Sequence, residues 1–401
     1  MRFSEILKEY SDERIRRMYA RVTPRDVERA LAHDERTLED LVALLSPCAV
    51  PYLEAMAQEA RRLTRKHFGR VIQLYVPLYL SNLCAADCVY CGYAARSGSH
   101  DKRLTLSPQE LRRECEVLAQ RGFEHVLLLT GEAPKIVTPR YIQQCIEIAH
   151  AYFHSVSVEV YAVTEADYRK WVEAGLDGVT LYMETYHRPT YEQVHLLGEK
   201  RDYERRLEAI AEAGRAGARQ LTVGALLGLF DWRLEMVRLA LHVQYLEREF
   251  WQSSVSVSFP RLVHTPQRYS PPYPVSEAEL VQIMVAMRLL FPYIGFNLST
   301  RERPAFRDRL IPLGVTSMSA GSSTRPGGYA VYTQGTPTEK GTRRMVLEQF
   351  EIEDVRPVEE VVAAIRRAGY EPVWKDYDRA FDARASRASG EGPEQRAACA
   401  Q

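Results

Sequence analysis

Two rhythms of apolar and polar positions divide this chain. Through about residue 70 the apolar positions fall at helical spacing, as in Val27, Leu31, Leu38, Leu41 and Leu44. Thr23-Pro24 ahead of them is a cap followed by a first-turn proline. From Val71 on, short β-branched and apolar runs alternate with amphipathic stretches. The runs predicted as strands are 71–80, 125–130, 155–163, 178–184, 220–228, 254–260, 294–300 and 315–320. Between them, Ser107-Pro108-Gln109-Glu110 and Ser276-Glu277-Ala278-Glu279 are capping boxes, and Thr138-Pro139 is another helix start. An eightfold strand–helix alternation over roughly 250 residues predicts a closed (β/α)8 barrel of the TIM type. An open doubly wound sheet satisfies the same count, because one sequence does not show closure.

The pattern divides the chain into an N-terminal helical extension (1–70), the barrel (71–340) and a C-terminal extension (341–382) with one helix near 357–368. The Ser/Gly/Arg-rich tail from 383 on is expected to be disordered. The composition is ordinary and globular, 46% hydrophobic and 26% charged, which sets aside disordered and fibrous classes. Fifty-three basic residues balance 53 acidic ones, so bulk charge draws the chain to neither nucleic acid nor anionic membrane. No apolar run approaches a membrane span, and Met1-Arg2-Phe3-Ser4-Glu5 lacks a signal-peptide pattern. A cytoplasmic protein is expected, in which its seven cysteines stay reduced.

Three of those cysteines fall within eight positions. Cys84-Ala85-Ala86-Asp87-Cys88-Val89-Tyr90-Cys91-Gly92 follows the first predicted strand in a C-x3-C-x2-C spacing. Three thiolates satisfy three irons of a four-iron cube and leave the fourth open, which suits catalysis more than structure. Zinc with His100 as a fourth ligand is the bland alternative, although zinc sites usually bring cysteines as two separated pairs. Cys48, Cys115 and Cys145 sit in helical patterns and are expected as small core residues, and Cys399 as an exposed thiol.

The C-x3-C-x-aromatic-C motif resembles the signature of radical S-adenosylmethionine (SAM) enzymes. The stretches YLSNLCAADCVYCGY, GFEHVLLLTGEAP, SVEVYAVTEADY, GLDGVTLYMETYH, SVSFPRL, LSTRE, PGGY and PVWKDYD run in order along residues 70–380. Together they are similar to the 2-iminoacetate synthases, the tyrosine lyases of thiamine biosynthesis. The resemblance implies a [4Fe-4S] cluster on Cys84, Cys88 and Cys91, with the methionine end of SAM on its open iron. It also implies a 5′-deoxyadenosyl radical that takes a hydrogen atom from the amino group of L-tyrosine. The Cα–Cβ bond then breaks to give 2-iminoacetate (dehydroglycine) and p-cresol. A reduced flavodoxin or ferredoxin-type electron donor and delivery to thiazole synthase are implied as well.

The resemblance also suggests roles for further residues. Thr130-Gly131-Glu132 resembles the family's glycine-glycine-glutamate motif that holds the SAM amino group, with Thr130 in place of the first glycine. Tyr90 stands where the family's aromatic residue lies against the adenine. Glu159, amid Val156, Val158 and Val160, needs a partner for its charge, and a SAM ribose hydroxyl or the methionine ammonium would supply one. Glu184 is read in the same way, with a structural salt bridge as the alternative for both carboxylates. For the tyrosine carboxylate the candidates are Arg301 with Ser319, Gly321 and Ser322, a bidentate fork beside an anion-binding turn. An ion pair with Glu302 is the alternative for Arg301. Arg261 is a further candidate, whereas His187, His195 and His264 are expected as satisfied surface or core residues.

Two rivals share the fold, the hydrogenase-maturation tyrosine lyase and a tryptophan lyase, and a non-catalytic metal-binding module is the rival from another class. The first rival carries a second cysteine-ligated cluster in a C-terminal extension. Here Cys399 is the single cysteine after Trp374, so the reaction is expected to stop at dehydroglycine.

Overall fold

The computed structural model describes residues 2–97, 103–263, 269–330 and 348–375. Eight parallel strands close into a barrel: β1 (Val71–Ser81), β2 (His125–Thr130), β3 (Ser155–Glu159), β4 (Gly178–Thr180), β5 (Gln220–Gly224), β6 (Ser254–Ser258), β7 (Gly295–Leu298) and β8 (Ser317–Ser319). Neighbours pair in sequence order, and β1 pairs with both β2 and β8, so the open-sheet alternative falls away. All eight predicted strands are present, most of them shorter than predicted. The run 178–184 keeps ladder bonds to β5 beyond Thr180, from Leu181 N–H to the Thr222 carbonyl (2.9 Å) and from Met183 N–H to that of Gly224 (3.1 Å). On its other side it pairs with β3 only through Gly178 and Val179.

Strand parity sorts the side chains. On β1, Ile72, Leu74, Val76, Leu78 and Leu80 are fully buried, while Gln73, Tyr75, Pro77 and Tyr79 line cavities inside the barrel. Val156 and Val158 of β3 are likewise fully buried, and Ser157 and Glu159 line the interior cavities. The apolar set therefore packs under the helices, and the polar set meets at the axis. The covering helices are α6 (Pro108–Gln120), α7 (Pro139–His150), α8 (Glu165–Glu173), α9 (Arg188–Val194), α10 (Tyr203–Arg215), α11 (Trp232–Glu249), α12 (Glu277–Leu290) and α13 (Pro304–Leu310). Ser107 and Ser276 form the predicted capping boxes at α6 and α12, and the Thr138 hydroxyl accepts from Tyr141 N–H at α7.

Ahead of the barrel come α1 (Phe3–Glu9), α2 (Asp12–Ala20), α3 (Pro24–Ala32), α4 (Leu38–Leu45) and α5 (Leu53–Phe68). The last two pack on α12, and their buried leucines continue the barrel's core. After α14 (Val358–Arg367) a ninth strand, β9 (Glu371–Val373), pairs in parallel with Val71–Gln73 at the amino end of β1. The sequence reading did not foresee it. Among the described residues no single helix is long and apolar enough to cross a membrane.

Candidate active site

The loop after β1 crosses the carboxyl end of the barrel and carries Cys84, Cys88 and Cys91. Four backbone bonds tie it to three neighbouring segments: Ala85 N–H to the Glu132 carbonyl (2.7 Å), Val89 N–H to that of Val194 (3.1 Å), Leu196 N–H to that of Asp87 (2.9 Å), and Gly92 N–H to that of Gln349 (2.8 Å). Two of its close approaches require glycine. A methyl group on Gly131 would run into the Leu83 carbonyl oxygen, and one on Gly92 into that of Glu348.

None of the three thiols is in a disulfide, and Cys88 is buried while the other two are half-buried. Glu132 N–H points to Cys84 Sγ (3.4 Å) and Tyr93 N–H to Cys91 Sγ (3.4 Å). Burial pushes all three thiols up, Cys91 to about 11, and the Lys200 ammonium opposes the rise in each. Among the described residues no three of His, Cys, Asp and Glu stand close enough together to share a single ion. His100 lies outside the described residues. Three thiols on one loop, one buried and two half-buried, each supported by a cation or by an N–H donor, fit a cluster that takes one thiolate per iron.

Beside the loop lies a buried charge network. Glu184 Oε1 accepts from Lys200 Nζ (2.8 Å) and Arg206 Nη2 (3.4 Å), and Arg206 Nη1 stands 4.0 Å from Glu132 Oε2. Burial raises the Glu184 pKa, but the two cations outweigh it and hold the carboxyl at about 2. For Glu132, burial prevails and the pKa rises. His195 Nδ1 donates to the Tyr191 carbonyl (2.8 Å), which leaves Nε2 to accept the Tyr90 hydroxyl proton (2.8 Å). Burial, followed by Lys200, keeps that imidazole neutral with a pKa lowered to about 2. Thr130 Oγ1 is buried with no partner among the described residues, at the place where the resemblance expects the SAM amino group.

Deeper in the barrel, a cavity is lined by Glu159, Arg301, Ser319 and Ser322 together with Tyr75, Tyr79 and Tyr182. Arg301 does not pair with Glu302. Its guanidinium carbon lies 3.5 Å from the centroid of the Phe350 ring, and Glu302 is held by Arg261, whose Nε donates to Oε1 (2.7 Å). Arg261 is thereby removed as a free carboxylate ligand. Ser322 Oγ has no partner among the described residues. Gly321, at φ +57°, turns the chain between the two serines, and a methyl group there would stand 2.8 Å from Val358 Cγ2. His187 stacks on Phe230 at the periphery, 3.6 Å from Asp12, and His264 lies outside the described residues.

Known proteins give this geometry a family. The Radical SAM superfamily model matches residues 78–242, and the Biotin and Thiamin Synthesis associated domain matches 258–371. The 2-iminoacetate synthase of Escherichia coli (strain K12) is 45% identical over 357 residues, 89% of this chain and 91% of that protein. This chain belongs to the 2-iminoacetate synthase family. The synthase of Salmonella typhimurium is 44% identical over the same shares of the two chains. The crystal structure of HydG, a maturase of the [FeFe]-hydrogenase, superposes with a TM-score of 0.82 at 31% identity over 96% of this chain and 83% of that one. The family uses a [4Fe-4S] cluster and SAM, and the three-thiol loop fits that requirement.

Sequence reasoning missed four parts of the site: Lys200 and Arg206, the His195 partner of Tyr90, and the segment Glu348–Phe350. Tyr79 donates to Gln349 Oε1 (2.6 Å), so this late segment closes over the cysteine loop and Arg301. Lys200 and Arg206 lie on a connection and on α10, and nothing in the local sequence marks them as buried. Alternation in Gln73–Tyr79 and Ser155–Glu159 was a usable signal for a polar barrel interior.

Proposed function

We propose that the chain is a radical SAM lyase that cleaves the Cα–Cβ bond of L-tyrosine to 2-iminoacetate and p-cresol for the thiazole moiety of thiamine. The family relationship across nine-tenths of the chain carries this reading. When bound and reduced by one electron, the cluster and SAM supply a carbon radical able to remove a hydrogen atom from the substrate. Cys84, Cys88 and Cys91 would hold the cluster. Thr130, Gly131, Glu132 and Glu184 would line the SAM pocket with Tyr90, and Glu159 would stand at the seam between cofactor and substrate. Support comes from the unpartnered Thr130 hydroxyl and from the buried cations of Lys200 and Arg206, which suit the carboxylate end of an amino acid.

For the substrate, Arg301 would take the tyrosine carboxylate, with Ser319 and Ser322 beside it. A bidentate fork fixed against Phe350 orients the amino group and leaves the ring to the tyrosine-lined part of the cavity. The reading includes a flavodoxin or ferredoxin-type one-electron donor, direct transfer of 2-iminoacetate to thiazole synthase, and a cytoplasmic location. The test is anaerobic incubation of the reconstituted protein with SAM, reductant and either tyrosine or tryptophan. p-Cresol and glyoxylate from tyrosine alone are expected. Indole-derived products, or cyanide and carbon monoxide in proportion to p-cresol, would assign the chain to one of the rival lyases.

A further inference from the structure

Glu159 ends β3 on the face that Ser157 also presents to the barrel axis, opposite Leu129 of β2. Among the described residues no hydrogen bond and no ion pair reaches its carboxylate. The other carboxylates nearby are engaged: Glu302 by Arg261, Glu184 by Lys200 and Arg206, and Glu132 by Arg206 at 4.0 Å. Arg301 faces the same cavity, stacked on Phe350 and likewise without a carboxylate partner among the described residues. One unpaired anion and one unpaired cation on a shared cavity form a receptor for a zwitterion. Arg301 suits the carboxylate of an amino acid, which leaves its ammonium to Glu159.

An ammonium is the wrong protonation state for the reaction. Removing a hydrogen atom from –NH3+ would leave a nitrogen radical cation in a buried site, whereas removal from –NH2 leaves a neutral radical that fragments to the imine. A proton must therefore leave the nitrogen first. Resting on the lyase reading, we infer that Glu159 accepts this proton from the ammonium of the bound amino acid. The step balances without an oxidant: R–NH3+ and Glu159–COO− become R–NH2 and Glu159–COOH, and no electron moves until the hydrogen atom is taken. Among the described residues that line the cavity none is a competing base: Glu302 is held by Arg261, and the remaining titratable groups are phenols and a guanidinium. Burial pushes Tyr75 up to about 12 and also raises Tyr79 and Tyr182 well above the ordinary phenol value, and the Glu159 charge adds to the rise in each.

The acidity of Glu159 agrees with this role. Burial and then Glu184 push its carboxyl up to about 7, against the pull of Arg301, Arg206 and Lys200. A base poised near the operating pH accepts a proton and remains mostly ionised just above neutrality.

The experiment compares wild type, Glu159→Gln and Glu159→Asp as reconstituted holoproteins. It measures kcat and KM for tyrosine from p-cresol between about pH 5.5 and 9. Tyrosine Kd is measured on the unreduced proteins by equilibrium dialysis. Glu159→Gln is expected to lower kcat roughly 100-fold or more while Kd changes less than about tenfold. Glu159→Asp should recover part of the rate, and wild-type kcat should rise through an apparent pKa near 7 on a limb that the Gln variant lacks. An unchanged kcat and pH limb in Glu159→Gln overturns the inference, as does a defect confined to Kd and KM. A wild type without that limb overturns it independently of any variant. Failure of the wild type to make p-cresol at all sinks the lyase reading itself, and the inference with it.

Discussion

Glu184 sits in a left-handed backbone conformation (φ +65°), and from there its carboxylate lies 2.8 Å from the Lys200 ammonium. It is the one non-glycine residue with positive φ among the described residues. Such a conformation is uncommon for a residue with a side chain and persists where its surroundings fix it. Here Leu226 N–H donates to the Glu184 carbonyl (2.7 Å), and Arg206 approaches the carboxylate from a second side. The turn aims one anion at two buried cations beside the cysteine loop.

Glu184→Gln should therefore destabilise the fold by about 3–5 kcal/mol, because it leaves Lys200 and Arg206 buried without their shared anion. The folded-state pKa of Glu184 is depressed to about 2, so its contribution is present above the ordinary carboxyl pKa and fades as pH falls toward 2. Urea unfolding at neutral pH and on acidification checks both points. The variant should be weaker at pH 7 and should lose part of the wild type's acid sensitivity. Equal stabilities at pH 7 would mean that the ion pairs are compensated elsewhere.

Replacing any one of Cys84, Cys88 and Cys91 by alanine should abolish SAM cleavage and deplete iron. Cys115 and Cys145 are buried under the helices in the main core, and Cys48 is half-buried with its thiol directed at the Val22 carbonyl (3.6 Å). Alanine at these three positions should leave iron content near wild type. Iron and sulfide analysis of reconstituted variants decides it, and a Cys88→Ala protein with a full active cluster would remove the assignment.

Gly131→Ala should behave like a partial cysteine variant although it removes no ligand. The added methyl meets the Leu83 carbonyl oxygen and lies 3.1 Å from Cys84 Cβ, and neither the backbone nor a ligand side chain yields cheaply. The loop must shift, so the cluster should form and then be lost faster on chelator challenge. Wild-type kinetics of iron release would show that the loop accommodates the group.

Much of this architecture was legible because it follows from local chemistry. Capping boxes at Ser107 and Ser276 mark helix starts wherever they occur, and C-x3-C-x2-C is a ligand spacing within one loop. β9 was not legible, because Pro372 at the centre of a three-residue run argues against a strand. It is tolerated since β9 pairs with β1 alone and is an edge strand. Lys200, Arg206 and Phe350 were hidden for a different reason. They come from a connection, a helix and a segment distant in sequence from the motifs, and tertiary closure alone brings them to the site. The same closure settled Glu302, which pairs with Arg261 and not with its sequence neighbour Arg301.

That pairing sharpens the expectation for Arg301→Lys. With Glu302 already engaged, Arg301 has no structural ion pair to lose among the described residues, so a defect in the variant reports on what the cavity binds. Lysine keeps the charge but loses both the planar fork and the stack on Phe350, 3.5 Å from the ring centroid in the wild type. A carboxylate held by a point charge rotates, and the amino group at its other end leaves the position in which a hydrogen atom can be taken. Tyrosine turnover should fall by an amount on the order of 2–4 kcal/mol in kcat/KM. SAM cleavage without tyrosine should fall far less, because Arg301 lines a cavity to which none of the three cysteines contributes. Parallel assays of p-cresol and 5′-deoxyadenosine separate the two effects. Equal losses in both would place Arg301 with the cofactor, and unchanged p-cresol would remove it from the site.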